Sequence, residues 1–317
     1  MARLACRSEV SGPTSHGSTH YAFEPLEEGV SFGRARPQGT GLSNTGVVDL
    51  GGATLVFDTS LTLHSAREIR EASVALTGRP PSIAVNSHRH LDHFLGNQVF
   101  ADRPIYATRR TIEKVLELRA EMEQEITPAR LEADIRELEE RQRAQSTEHG
   151  RAEYDEPLRF NRMLLTEAAE IRLTPPSEGF DGELRLPGDR DASLITYGGG
   201  HSESDAMLWL PKSRILFAGD LLVADNHFNL ASGDLATWLE ILDRIDQLHP
   251  ERIGTGHGPL GTPETIEVAR DYLTTVLEVA RGSKDVEIPA RFRSWAMADA
   301  FERNVAFLRE RARTPPG

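Results

Sequence analysis

The chain has 317 residues, 38% hydrophobic and 27% charged, with a formal net charge of −13. This is the composition of a soluble globular protein with a sizeable core. Without an excess of Lys and Arg to neutralise phosphates, nucleic acid is not an expected partner. The single cysteine, Cys6, excludes an intrachain disulfide framework and a thiolate zinc site. No apolar run is long enough to cross a membrane, and the first twenty residues lack the apolar stretch of a secretory signal. The expected location is therefore cytoplasmic, with no membrane partner.

Residues 1–22 read as a disordered leader that carries His16, with His20 also expected to be solvated. From Phe23 to Gly41 the chain is rich in Gly and Pro, with few helix signals. Thr45–Leu50 and Ala53–Phe57, separated by Gly51-Gly52, predict a hairpin that ends at Asp58. Residues 63–77 predict an amphipathic helix stopped by Gly78 and Pro80-Pro81. Ser82–Val85 is a short buried strand, and it runs into Asn86-Ser87-His88-Arg89-His90-Leu91-Asp92-His93. A helix from His93 to about Phe100 and a strand at Pro104–Ala107 follow.

Residues 109–168 change character. Glu132 and Arg136, Glu137 and Arg141, and Glu139 and Arg143 stand at i, i+4 spacing. Leu131, Ile135 and Leu138 form a narrow apolar stripe. Two or three inserted helices are expected, acting as a solvated hairpin, a wall or lid of a substrate pocket, or a homodimer contact. Strands are then expected at Glu170–Leu173, Gly182–Leu186 and Ala192–Tyr197, the last leading to Gly198-Gly199-Gly200-His201. Ala206–Leu210 and Arg214–Phe217 form a strand pair that leads to Ala218-Gly219-Asp220. Leu235–Leu248 is a helix with Asp234 as N-cap. Arg252–Gly254 is a strand that feeds Gly256-His257-Gly258. Helices at Pro263 onward and from Ser294 to Arg311 close the chain.

The chemistry concentrates where predicted strands end. Three imidazoles and a carboxylate occupy six residues in the turn H-x-H-x-D-H, and these are donors that suit zinc, manganese or iron. His88 and His90 alternate with Arg89 and would point to one side, while Asp92 and His93 can face a second point. One turn could therefore feed two metal ions. His201, Asp220 and His257 also stand at strand ends, where ligand sites form in layered α/β folds. No phosphate-cradling G-x-x-x-x-G-K-[ST] loop occurs.

The H-x-H-x-D-H turn, the Gly-rich His loop, the Ala-Gly-Asp turn and the Gly-His-Gly turn, in that order, resemble the metallo-β-lactamase-fold superfamily of metallohydrolases. The resemblance covers nearly the whole chain, and the helical insertion at 109–168 is the departure from it. It implies an αββα four-layer sandwich of α/β class, a single domain over residues 23–317. It also implies two divalent metal ions, zinc before manganese or iron. His88, His90 and His201 would hold the first, Asp92, His93 and His257 the second, and Asp220 would bridge them. Metallo-β-lactamases proper lack the bridging Asp, which glyoxalase II-like, lactonase-like and phosphodiesterase-like members carry. The implied activity is hydrolysis of an ester, thioester or lactone of a small molecule by a metal-bridging hydroxide, with Asp92 orienting it and carrying a proton. Alternatives are a mononuclear iron oxidoreductase resembling persulfide dioxygenases, and a phosphodiesterase. Asp58 would support the metal site from behind, though a plain turn Asp is an equal alternative. His227, on a loop after Asp220, could contact substrate or lie at the surface. Tyr197 and Trp238 are expected in the core, and His64, His149 and His249 to be structural or solvated.

Overall fold

The computed structural model describes residues 18–152, 154–282 and 286–313. Cys6, His16 and most of the expected leader lie outside them. Residues 18–22 of the expected leader are ordered. Ser18, Thr19, His20 and Tyr21 all donate to the Glu68 carboxylate, and Tyr21 is fully buried.

The first sheet opens with β1 (Tyr21–Glu27), β2 (Val30–Ala35), β3 (Thr45–Asp49) and β4 (Thr54–Phe57), an antiparallel meander. The β1–β2 hairpin is not visible in the sequence, because Pro25 and flanking glutamates break the alternation that marks a strand. After α1 (Leu63–Thr77), β5 (Ile83–Val85) joins β4 in parallel. The one-turn helix α2 (Leu91–Phe94) continues as a 3-10 helix to Phe100, and β6 (Ile105–Thr108) pairs with β5.

Among the described residues the insertion holds four helices: α3 (Arg109–Glu125), α4 (Pro128–Ala144), α5 (Glu148–Ala152) and α6 (Asp155–Leu165). Of the stripe on α4, only Leu131 is fully buried. The strand expected at Glu170–Leu173 does not form. Ile171 and Leu173 are buried in the insertion's own core, Gln98 accepts the Arg172 N–H, and Pro175-Pro176 cannot donate to a ladder. The sheet's last strand is instead β7 (Glu178–Phe180), beside β6.

The second sheet runs β8 (Glu183–Arg185), β9 (Ser193–Thr196), β10 (Ala206–Leu210) and β11 (Ile215–Gly219), all antiparallel. After α7 (Leu235–Gln247), β12 (Arg252–Thr255) lies parallel to β11. The helices α8 (Pro263–Arg281) and α9 (Asp299–Arg313) complete the chain. The last starts later than the expected Ser294, after a 3-10 turn at Ala290–Phe292.

Four layers result. Phe32, Val48 and Leu55 of the first sheet pack on Leu194, Leu208 and Phe217 of the second. On one outer face, α1 buries Ala66 and Ile69 against Val56 and Ala84. On the other, Trp238, Leu273 and Phe301 from α7, α8 and α9 cover Met207, Leu216 and Ile253. The loops that carry candidate ligands all leave one edge of this sandwich. Among the described residues no helix is long and apolar enough to cross a membrane.

Candidate metal centre

The turn after β5 is held by amides and a carboxylate behind it. Asn86 donates to the His93 carbonyl at 3.1 Å and to Asn97 Oδ1 at 3.0 Å, and Asn97 returns a bond to Asn86 Oδ1 at 2.8 Å. Asp58, in the left-handed region at φ 61, accepts from the Ser87 N–H at 2.7 Å and the Ser87 hydroxyl at 2.8 Å. It also accepts from His93 Nδ1 at 2.8 Å. Because a carboxylate only accepts, it fixes the proton on Nδ1 and turns Nε2 inward. Asp58 thus sits behind His93, away from the side its Nε2 faces.

Three imidazoles converge on one point. His90 Nδ1 is 3.0 Å from His88 Nε2 and 2.9 Å from His201 Nε2. The outer nitrogens of two are engaged, His88 Nδ1 with Ser87 Oγ at 2.9 Å and His90 Nε2 with Ser232 Oγ at 3.0 Å. Burial, then His93, His201 and the ring of His90, hold His88 well below its ordinary pKa. Burial and His201 lower His90 to about 3. Both are neutral, which is the form that offers a lone pair to a cation.

The second group adjoins the first. Asp92 Oδ2 lies 3.4 Å from His93 Nε2 and 3.2 Å from His257 Nε2. Asp220 stands between the groups. Its Oδ2 is 3.4 Å from both His201 Nε2 and His257 Nε2, and its Oδ1 is 3.2 Å from His93 Nε2. The approach depends on small residues: a Cβ on Gly256 would overlap Asp220 Oδ1, and one on Gly219, at φ 53, would press on Ser87. Burial works to raise Asp92 and Asp220, but the surrounding imidazoles hold both carboxyls well below their usual range. Conversely, burial opposes protonation of His93 and His257. Asp220 and Asp92 outweigh it and lift His93 far up and His257 to about 10. Carboxylates that draw protons onto these rings would equally draw a divalent cation.

The donor set fits metal binding on a second count. His93 Nε2 and Asp220 Oδ1, which both face the site, are buried without a hydrogen-bond partner, which is costly unless something else satisfies them. The ligand atoms of His88, His90, His201 and Asp220, and separately those of Asp92, His93 and His257, lie within 4.8 Å of one another. All seven candidate residues therefore come together.

His227 is not a surface residue. It lines the cavity beside the centre, but it is buried and both ring nitrogens are engaged, Nδ1 with Tyr272 Oη at 3.0 Å and Nε2 with the Phe292 carbonyl at 3.1 Å. It ties the loop to α8 and the 290–292 turn. Trp238 is in the core, Tyr197 is stacked under Arg244, and His64 pairs with Glu167.

Several contributors escape the sequence. Asp205 accepts from the N–H groups of Gly200, His201 and Ser202 at 2.8, 3.0 and 3.1 Å and shapes the His201 loop. Its only local signal is the Ser-x-Ser-Asp that follows the His. Ser232 carries no signal at all. Above the centre lies a cavity of about 300 Å³, walled in part by Phe160 of α6 and by Met297 just before α9.

A model of the metallo-beta-lactamase superfamily matches residues 38–257, a span that includes all seven converging residues. The chain belongs to this superfamily. Its members are metal-dependent hydrolases, and the His/Asp clusters make this chain a candidate metal-binding enzyme of that kind. The metallo-beta-lactamase type 2 of Bacteroides fragilis is 31% identical over 125 residues, 37% of this chain and 50% of that protein. The chain thus spans about half the length of this curated relative. A metallo-beta-lactamase from Pontibacter korlensis superposes with a TM-score of 0.57 at 17% identity, over 80% of this chain and 99% of that one. The FIM-1 metallo-beta-lactamase of Pseudomonas aeruginosa, in a mono-zinc form, gives 0.55 at 18% identity over 81% and 96%. These likenesses establish the metallo-beta-lactamase fold.

Proposed function

We propose that this protein is a binuclear metal-dependent hydrolase that cleaves an ester, thioester or lactone of a small molecule. The observation that carries this reading is Asp220, whose two carboxylate oxygens reach members of both His/Asp groups. In this reading His88, His90 and His201 would hold one ion, Asp92, His93 and His257 would hold the other, and Asp220 would be shared between them. Zinc is favoured by a donor set of imidazole and carboxylate, and the cytoplasm is the proposed compartment. Bound ions of this kind supply Lewis acidity and bring the pKa of water toward neutrality.

The chain's own residues do the rest. Asp58 fixes the tautomer of His93, Ser87, whose own proton goes to Asp58, fixes that of His88, and Ser232 orients the His90 ring, so that little reorganisation is needed when the site acts. Asp92, which lines the cavity, orients the attacking water and passes its proton to the leaving oxygen or sulfur. The acyl C–O or C–S bond breaks, the hydroxyl of water joins the acyl carbon, and the proton ends on the leaving group.

Asp220→Ala tests this reading. Metal per chain should fall, and hydrolysis of esters, thioesters and lactones should drop at least about 100-fold. Full hydrolysis by the variant would overturn the bridging role. One iron per chain, with oxygen uptake on a persulfide, would overturn the hydrolase.

A further inference from the structure

The cavity over the centre is built unevenly. Its floor is His90, Asp92, Asp220 and His257, while Leu42, Phe160, Val223, Phe228 and Met297 give it apolar walls. Most polar groups on those walls already hold a hydrogen bond, Asn229 among them, which accepts from the Ala231 N–H at 3.1 Å. Asn161 donates to the Pro157 carbonyl at 2.9 Å and Asn226 to the Ala224 carbonyl at 2.7 Å. His227 has spent both nitrogens. Arg303, the one cation on the walls among the described residues, pairs with Asp299 at 2.6 Å and is half exposed. A charged substituent placed against these walls would lose its water and meet no uncompensated opposite charge.

Two wall residues come from outside the sandwich. Phe160 belongs to the inserted helix α6 and is only partly buried. Met297 sits at φ 60, a conformation that a Met adopts only when its surroundings impose it. The imposition is visible: the Ala296 N–H donates to the Asp225 carbonyl and the His227 N–H to the Ala296 carbonyl, which locks this segment onto the loop after Asp220.

We propose that this cavity is the subsite for a neutral, apolar acyl chain, and that Phe160 and Met297 set the chain length it accepts. The inference rests on the hydrolytic reading above and narrows it to one class of substrate. The cavity's roughly 300 Å³, part of which the bound ions and the attacking water would take, has room for a chain of several carbons but not for a polymer.

The test uses the full chain loaded with metal and p-nitrophenyl esters from acetate to dodecanoate. kcat/KM should rise about fourfold per added methylene, peak at an intermediate length and then fall. Phe160→Ala should move the peak to longer chains, and Phe160→Trp to shorter ones, at unchanged metal content. An ester ending in a carboxylate should be cleaved at least about tenfold more slowly than its neutral equal in length. A flat profile, or a preference for the carboxylate-ended ester, would overturn the acyl subsite while leaving the hydrolase standing. If no ester, thioester or lactone turns over, the hydrolytic reading fails. Calorimetric titration with straight-chain carboxylates of two to twelve carbons then decides the subsite by itself. A Kd that falls with length and shifts in Phe160→Leu supports it, and a length-independent Kd overturns it.

Discussion

Arg89 separates His88 from His90 in sequence and has no part in the metal chemistry itself. Its guanidinium makes a two-pronged contact with Glu203, Nε to Oε2 at 2.6 Å and one terminal nitrogen to Oε1 at 3.1 Å, and both side chains are mostly buried. Glu203 lies two residues beyond His201. The pair therefore fastens the ligand turn of the first sheet to the ligand loop of the second. Such bidentate pairs fix geometry as well as supply energy. Arg89→Ala should weaken zinc binding about tenfold, as loss of an orienting contact does elsewhere. Competition with a chromophoric chelator measures this. Because the two groups act as a unit, Arg89→Ala with Glu203→Ala should be no weaker than either alone. Additive losses would mean that the two side chains act independently of each other. The ligand types were legible here because they crowd a turn, but their supports were not. Glu203 is 114 positions from Arg89, and the Tyr272 and Phe292 partners that occupy both nitrogens of His227 are 45 and 65 positions away.

At the level of elements, periodicity located α1, α7 and α8 and the central strands, because each has an apolar face of one period. It failed where other forces hold the backbone. Residues 171–173 look like a strand but are fixed by side chains, and β1 and β2 lack alternation yet close the sheet. The insertion was foreseen as a helical block, but its attachment was not. Glu167, at 2% exposure, reaches from the end of the insertion to the start of α1 and accepts from the Leu63 N–H at 2.6 Å and the His64 N–H at 3.0 Å. Those first-turn donors have no partner within the helix, and a carboxylate there also meets the positive end of the helix dipole. Glu167→Ala strands the buried Leu63 N–H and removes the partner of the His64 N–H, at a cost of about 1–3 kcal/mol. At about 2–4 °C per kcal/mol for a large domain, Tm should drop by several degrees. Scanning calorimetry reads this directly, and a change under about 1 °C would show that the insertion does not hold α1 through this contact.

For the whole molecule, the decisive fact is where the candidate ligands originate. His88, His90, Asp92 and His93 follow β5 of the first sheet, whereas His201, Asp220 and His257 follow strands of the second. A cation held by this set joins the two halves of the sandwich, and it can do so only when both are folded and docked. Binding free energy then becomes folding free energy. The chain carries an overall charge of −13, and the buried carboxylates of Asp92 and Asp220 add local repulsion that a cation would relieve. Free zinc at a hundred times its Kd should stabilise the fold by about 2.7 kcal/mol, or about 5–11 °C in Tm. Chelation should reverse the shift, and Asp220→Ala should blunt it. The measurement is thermal unfolding of chelator-treated protein as zinc, manganese or iron is added. A Tm indifferent to all three would mean that the seven converging side chains are not a metal site, whatever the family does. A shift with zinc that saturates only beyond one equivalent per chain would instead support two ions shared across Asp220.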